Sequence, residues 1–216
     1  MNNQAKRISP AKGKLGILLP GMGAVTSTFI AGVELAKKGL GLPIGSLTQM
    51  QTIRLGKRYE RRAPLIKDFV PLAELSQLVF GGWDLFPDSM YEAALKAGVL
   101  DKTQLEPVRA ELDAVLPMSA VFDQAYVRNL KATHFKKAKT KWDLARQVIA
   151  DIEHFQKKSG ADRLVMLWCG STEILPAPSP VHETITAFKE GLRKNDPAIP
   201  PSMVYAYAAI SLGIAY

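Results

Sequence analysis

The sequence predicts an α/β fold with a mostly parallel sheet, helices on both of its faces, and an incomplete carboxyl end. Three observations predict it. Short, continuously apolar runs at 14–19 and 163–168 have the length and composition of strands buried on both faces. Segments of helical periodicity alternate with the strand-like runs, as in sheets built from crossover units. The first run passes through a glycine turn, Gly21-Met-Gly23, straight into a helix, which is the opening of a βαβ unit of Rossmann-like type.

Each element follows in order. Lys14 to Leu19 is the first strand. From Ala24 to Lys38, Phe29, Ile30, Val33 and Leu35 fall at helical spacing, and Gly39 and Gly41 stop the helix. Residues 42–63 are polar and basic, with Gly45 and Gly56, and read as an extended loop holding one short strand. The next strand covers 77–82 and ends in Gly81-Gly82-Trp83-Asp84. Pro87 opens a helix over 88–97, and 101–115 is a second helical stretch closed by Pro117. Thr140 is a good amino-terminal cap, with Asp143 three residues on. Ala145, Val148, Ile149 and Ile152 then recur at helical spacing until Gly160. Residues 163–168, Arg-Leu-Val-Met-Leu-Trp, form the clearest buried strand, expected at the sheet centre beside the first. Ser179 and Pro180 cap a helix to about Lys194, and Pro200-Pro201 start a last apolar helix. Residues 1–13 read as a flexible basic arm and 14–216 as one domain. Ala206 to Tyr216 is apolar with no polar tail, so the natural protein is expected to continue beyond Tyr216.

The composition narrows the function classes. With 216 residues, 47% of them hydrophobic, the chain can bury a core without staples. The single cysteine, Cys169, excludes an intrachain disulfide and fits a cytoplasmic protein. No apolar run reaches the roughly 20 residues of a membrane span. The net charge of +8 concentrates in Arg54, Lys57, Arg58, Arg61 and Arg62, and again in Lys131, Lys136, Lys137, Lys139 and Lys141. Such groups attract anions, but neither has the interleaved aromatics of a single-strand nucleic-acid platform. They read first as solvated faces, and nucleic acid is not expected as a partner.

Two motifs carry chemistry. In Gly21-Met-Gly23-Ala-Val-Thr26 the glycines allow a sharp turn and close approach of a pyrophosphate, and the helix start offers free N–H groups. Thr26 stands where the usual fingerprint has a third glycine, and a tight turn without ligand is the plain alternative. The ribose-binding acid expected about 20 residues on is missing. Asp84 is the better candidate, with helix capping before Pro87 as its competing role. The second motif, Trp168-Cys-Gly-Ser-Thr-Glu173, follows the clearest strand, where ligands of open α/β sheets bind. Cys169 has no recognisable histidine partner and reads as packing. Ser171 lacks a hydrolase frame, and His134, His154 and His182 are not at metal-ligand spacing.

Taken together, Gly45-Ser-Leu-Thr-Gln49 with Thr52 to Gly56, Gly81-Gly-Trp-Asp84 and Trp168-Cys-Gly-Ser-Thr-Glu173 resemble the inositol-1-phosphate synthases in order and spacing. Tyr91-Glu-Ala-Ala with Val99-Leu100, and Ile199-Pro-Pro-Ser202 leading to Tyr205–Ala209, resemble them too. Two departures stand out. The family's glycine- and asparagine-rich turn reads Gly23-Ala-Val-Thr26 here, and its Trp-Thr-Ala-Asn-Thr-Glu reads Trp-Cys-Gly-Ser-Thr-Glu.

The resemblance implies NAD as cofactor, with Gly21, Gly23, Ala24, Val25 and Thr26 at the pyrophosphate and Asp84 at the adenosine ribose. Ser119, Cys169, Gly170, Ser171 and Thr172 would line the rest of the groove. It implies conversion of glucose 6-phosphate to an inositol phosphate by oxidation, enolisation, aldol closure and reduction, in a homotetramer. The family's catalytic lysines would lie beyond Tyr216, so no catalytic residue is assigned. An NAD-dependent dehydrogenase of another family, or a non-enzymatic basic module that binds nucleic acid, remain as alternatives.

Overall fold

The computed structural model describes residues 12–216, so the expected arm over 1–13 lies outside them except for its last two residues. Among the described residues, β1 (Lys14–Pro20), β2 (Leu78–Asp84), β3 (Met118–Ser119) and β4 (Ala161–Met166) form one parallel sheet in the order β3-β2-β1-β4. The order reverses between β1 and β4, the switch point of a doubly wound sheet. The helices are α1 (Ala24–Lys37), α2 (Leu47–Met50), α3 (Ile66–Phe69), α4 (Met90–Ala97), α5 (Lys102–Leu105), α6 (Arg109–Asp113), α7 (Lys141–Ser159), α8 (Ile185–Lys194) and α9 (Pro201–Ser211).

Alternation along β1 sends side chains into two separate cores. Ile17 and Leu19 join Ile30 and Ala31 of α1, Met90 and Ala94 of α4 and Leu112 of α6. Leu18 joins Val148 and Ile152 of α7 and Val204, Tyr205 and Ala208 of α9 on the opposite face. Helices therefore cover both faces, as the continuous apolar run of β1 predicts. Each fully buried Leu or Ile in these layers contributes about 1.5–3 kcal/mol over its exposed state.

The caps of α7 are as expected. Thr140 Oγ1 accepts from the Asp143 N–H at 3.1 Å, and Gly160 takes the left-handed conformation at φ +67°.

Other elements differ from the sequence reading. The 163–168 run is not central. As β4 it lies at the edge, joined on its outer side only by the bridge from Val165 to Ala215 among the described residues, and Leu167 is 46% exposed. Its apolarity reflects packing on the sheet faces, which does not reveal the neighbours in the ladder. The helical stretch 101–115 breaks into α5, a 3-10 turn at Glu106–Val108, and α6, because Pro107 has no N–H to continue the ladder. The helix expected from residue 88 starts at Met90, capped by Ser89 with Glu92 bonding back, not by Pro87. The 179–194 helix is two elements. Ser179 caps a 3-10 turn at Pro180–His182, and Thr184 caps α8 through the Ala187 N–H. The 42–63 loop holds α2 and a 3-10 turn at Arg58–Glu60, and instead of a strand it has a single antiparallel bridge from Thr52 to Leu65.

Candidate functional site

The carboxyl ends of the strands open into a cleft of about 410 Å³ at the switch point. Its deep wall is aromatic. The Tyr205 ring lies 5.1 Å from that of Trp83 and 5.8 Å from that of Trp168. Tyr205 is fully buried, which pushes its hydroxyl pKa up, and its oxygen accepts from the Val121 N–H at 2.8 Å. Behind Trp83, Asp151 of α7 accepts from the indole Nε1–H at 2.7 Å and pairs with the buried Lys136 ammonium at 2.6 Å.

The glycine turn is fixed from three sides. Gly21 has φ +92°, a region where side chains are strained, and its N–H donates to Trp83 O at 2.8 Å. A Cβ on Gly21 would stand 2.3 Å from backbone atoms of Gly170, so the turn after β1 and the loop after β4 touch backbone to backbone. The Cys169 N–H donates to Pro20 O at 2.8 Å and closes the same contact. Asp84 holds the turn from β2: its Oδ2 accepts from the Met22 N–H at 2.6 Å and its Oδ1 from the Phe86 N–H at 3.0 Å. Burial raises the Asp84 carboxyl pKa, and those N–H donors offset only part of the rise.

Gly23 behaves differently. It precedes α1, no side chain caps that helix, and no acidic residue stands in its first turn. A Cβ on Gly23 would meet nothing within 4 Å. Gly23, Ala24 and Val25 line the cleft, so an uncapped helix start faces it, the arrangement that takes an anion.

Of the residues named from sequence, the fold gathers Gly21, Gly23, Ala24, Val25, Asp84, Cys169, Gly170, Ser171 and Thr172 on one cleft. Thr26 is not on it: fully buried, it turns its hydroxyl back to Gly21 O at 2.6 Å and braces the turn. Ser119 pairs with Asp84 in the ladder, and the wall is formed instead by the next residues, Ala120, Val121 and Phe122. Asp84 does not cap α4, since Ser89 does. It stands at the end of the strand beside β1, where a ribose-binding acid belongs, and the 39–77 insertion accounts for its displacement in sequence.

Glu173, Tyr205, Val127 and Leu130 also line the cleft and were not among the residues singled out from sequence. Glu173 was visible as the last letter of its motif. Residues 121–132 have no periodicity to mark them.

A dinucleotide fits this site. Gly23 leaves room for close approach, an uncapped helix start faces the cleft, and a carboxylate stands on the β2 side. Among the described residues no group of three or more His, Cys, Asp or Glu side chains could hold a metal.

Comparison with known proteins agrees with the geometry. Residues 15–216 match an NAD-binding family model described as myo-inositol-1-phosphate synthase. Inositol-3-phosphate synthase 1 of Bacteroides thetaiotaomicron is 45% identical over 208 residues, covering 95% of this chain and 48% of that protein. The Trypanosoma brucei brucei inositol-3-phosphate synthase is 30% identical over 220 residues, covering 94% of this chain and 42% of that protein. The crystal structure of inositol-3-phosphate synthase from Caenorhabditis elegans shares the fold, with a TM-score of 0.85 at 23% identity, over 94% of this chain and 43% of that one. The chain thus spans about half the length of the curated relatives it matches.

Proposed function

The chain belongs to the myo-inositol-1-phosphate synthase family, and on that premise we propose that it forms the NAD-binding part of an inositol-3-phosphate synthase acting on glucose 6-phosphate. The observation that carries the reading is the pairing of a closed contact with an open one. Gly21 meets Gly170 and joins β1 to β4, while Gly23 leaves the start of α1 facing the cleft.

In this reading the α1 amides and Gly23 hold the pyrophosphate, and Asp84 accepts from an adenosine ribose hydroxyl with its remaining lone pairs. Cys169 to Thr172 line the β4 side, where the reactive ring would lie. Trp83, Trp168 and Tyr205 keep water from the floor. NAD, when bound, supplies reversible oxidation of the sugar. The 2′-hydroxyl beside Asp84 favours NAD over NADP, because a phosphate there would face a carboxylate.

The cleft lining contains no lysine, arginine or histidine among the described residues. Enolisation and ring closure need cationic or proton-donating groups to stabilise the developing oxyanion. The chain is therefore the cofactor half of the site, and a homotetramer in the cytoplasm is part of the same proposal. Titration of the purified chain is expected to show saturable NAD binding and markedly weaker NADP binding. Glucose 6-phosphate with NAD is expected to give no inositol phosphate. A folded chain that binds no NAD would contradict the reading, and robust turnover would contradict its division of labour.

A further inference from the structure

The loop after β4 is tied down at both ends. At its start, the Cys169 N–H donates to Pro20 O, and Gly170 lies against Gly21. At its end, both carboxylate oxygens of Glu173 accept from the Ser202 N–H, at 3.1 and 3.3 Å, and Oε2 also accepts from the Ser202 hydroxyl at 2.5 Å. Pro200 and Pro201 carry no N–H, so the Ser202 amide is the first that α9 offers, and a carboxylate there is favoured by the helix dipole. Glu173 itself is half-buried and lines the cleft. A carboxylate left in water would avoid the desolvation that this placement costs, so the bonds to Ser202 are what hold it.

Given the NAD reading, on which this inference rests, the span between the two ties is the cleft wall for one half of the dinucleotide only. Asp84 and the turn after β1 serve the adenosine and pyrophosphate. We propose that Glu173 is a positioning residue: through Ser202 it fixes the Cys169–Thr172 wall against α9, so that the nicotinamide ring of NAD is held while the rest of the dinucleotide is bound independently.

The test compares NAD with ADP-ribose, which keeps the adenosine, pyrophosphate and second ribose but lacks the nicotinamide. Both are titrated into the chain and its variants by calorimetry. Glu173→Ala is expected to weaken NAD about tenfold, the loss of one hydrogen-bonded charged contact, and to leave ADP-ribose within about twofold. Glu173→Gln keeps an acceptor and is expected to recover most of the NAD affinity. Ser202→Ala keeps the backbone bond and loses only the hydroxyl, so it folds whether or not the alanine variant at 173 does. It is expected to weaken NAD about threefold, again without effect on ADP-ribose. Equal loss of both ligands would mean a general structural role and overturn the proposal, as would unchanged NAD affinity in folded Glu173→Ala and Ser202→Ala. A wild-type chain that binds neither ligand defeats the NAD reading itself, a result distinct from either of those.

Discussion

The two ends of the sheet are built in opposite ways. At the carboxyl edge, separate segments are bonded to one another: Gly21 to Trp83, Cys169 to Pro20, Met22 to Asp84 and Ser202 to Glu173. Residues 39–77 leave α1 at the amino edge, where the Lys37 ammonium donates to Leu78 O at the start of β2. That insertion bonds largely to itself, through Ile53 to Pro64, Leu55 to Arg62 and Ile66 to Gln51. It exposes Leu42, Ile44, Leu47 and Tyr59. The two basic runs divide along the same line. In the insertion, Arg54, Lys57, Arg58, Arg61 and Arg62 all face solvent, with one loose pair from Arg62 to Glu60 at 3.8 Å. In the other run Lys131, Lys137 and Lys139 are likewise exposed, but Lys136 is buried against Asp151, and Lys141 donates to the Asp196 and Ile199 carbonyls at 2.8 and 2.7 Å. Geometry held by many segments at once marks where position matters, and a charge run by itself does not.

Substitutions can break or sharpen that contrast. The largest effect on stability is expected from Gly21→Val, which combines a positive φ with a collision against Gly170. A loss of about 3 kcal/mol or more should appear in denaturant unfolding. A stable Gly21→Val variant would show that the β1 and β4 loops do not depend on their contact. Asp151→Ala comes next, because it strands a buried ammonium and leaves the Trp83 indole N–H without its acceptor. Asp151 is part-exposed, so the cost should be about 2–3 kcal/mol, with part regained when Lys136→Met is added. Without that recovery, the stranded Lys136 ammonium would not be the source of the loss. The smallest effect belongs to the insertion. Arg54→Ala, Lys57→Ala and Arg58→Ala should each stay within about 0.5 kcal/mol and leave NAD affinity unchanged. A drop in NAD affinity from these changes would mean that the amino edge communicates with the cleft.

Much of the fold was legible because its signals are local. The run at β1, the Thr140 cap and the Gly160 stop depend on neighbours within a few residues, and all three are where the sequence reading put them. The position of β4 was not, because an apolar run records burial and not which strand lies alongside. The turn after β1 was legible because backbone geometry demands a residue type there, as at Gly21 with its φ of +92°. The place of the Thr26 side chain was not legible, because a hydroxyl can brace its own turn as readily as it meets a ligand, and here it bonds to Gly21 O at 2.6 Å. Glu173 was visible in its motif, but its bond to Ser202 was not, because that partner lies 29 residues away.

In the proposed reading, Gly23 is glycine for a ligand and Gly21 is glycine for the fold. The direct measurement is Gly23→Val against wild type, with thermal unfolding and NAD titration on the same samples. A Cβ at Gly23 meets no protein atom within 4 Å, so the melting temperature should stay close to wild type. NAD affinity should fall at least about tenfold, equivalent to about 1.4 kcal/mol, because the side chain occupies the space of the pyrophosphate. A folded Gly23→Val variant with unchanged NAD affinity would contradict the claim and move the cofactor away from the start of α1.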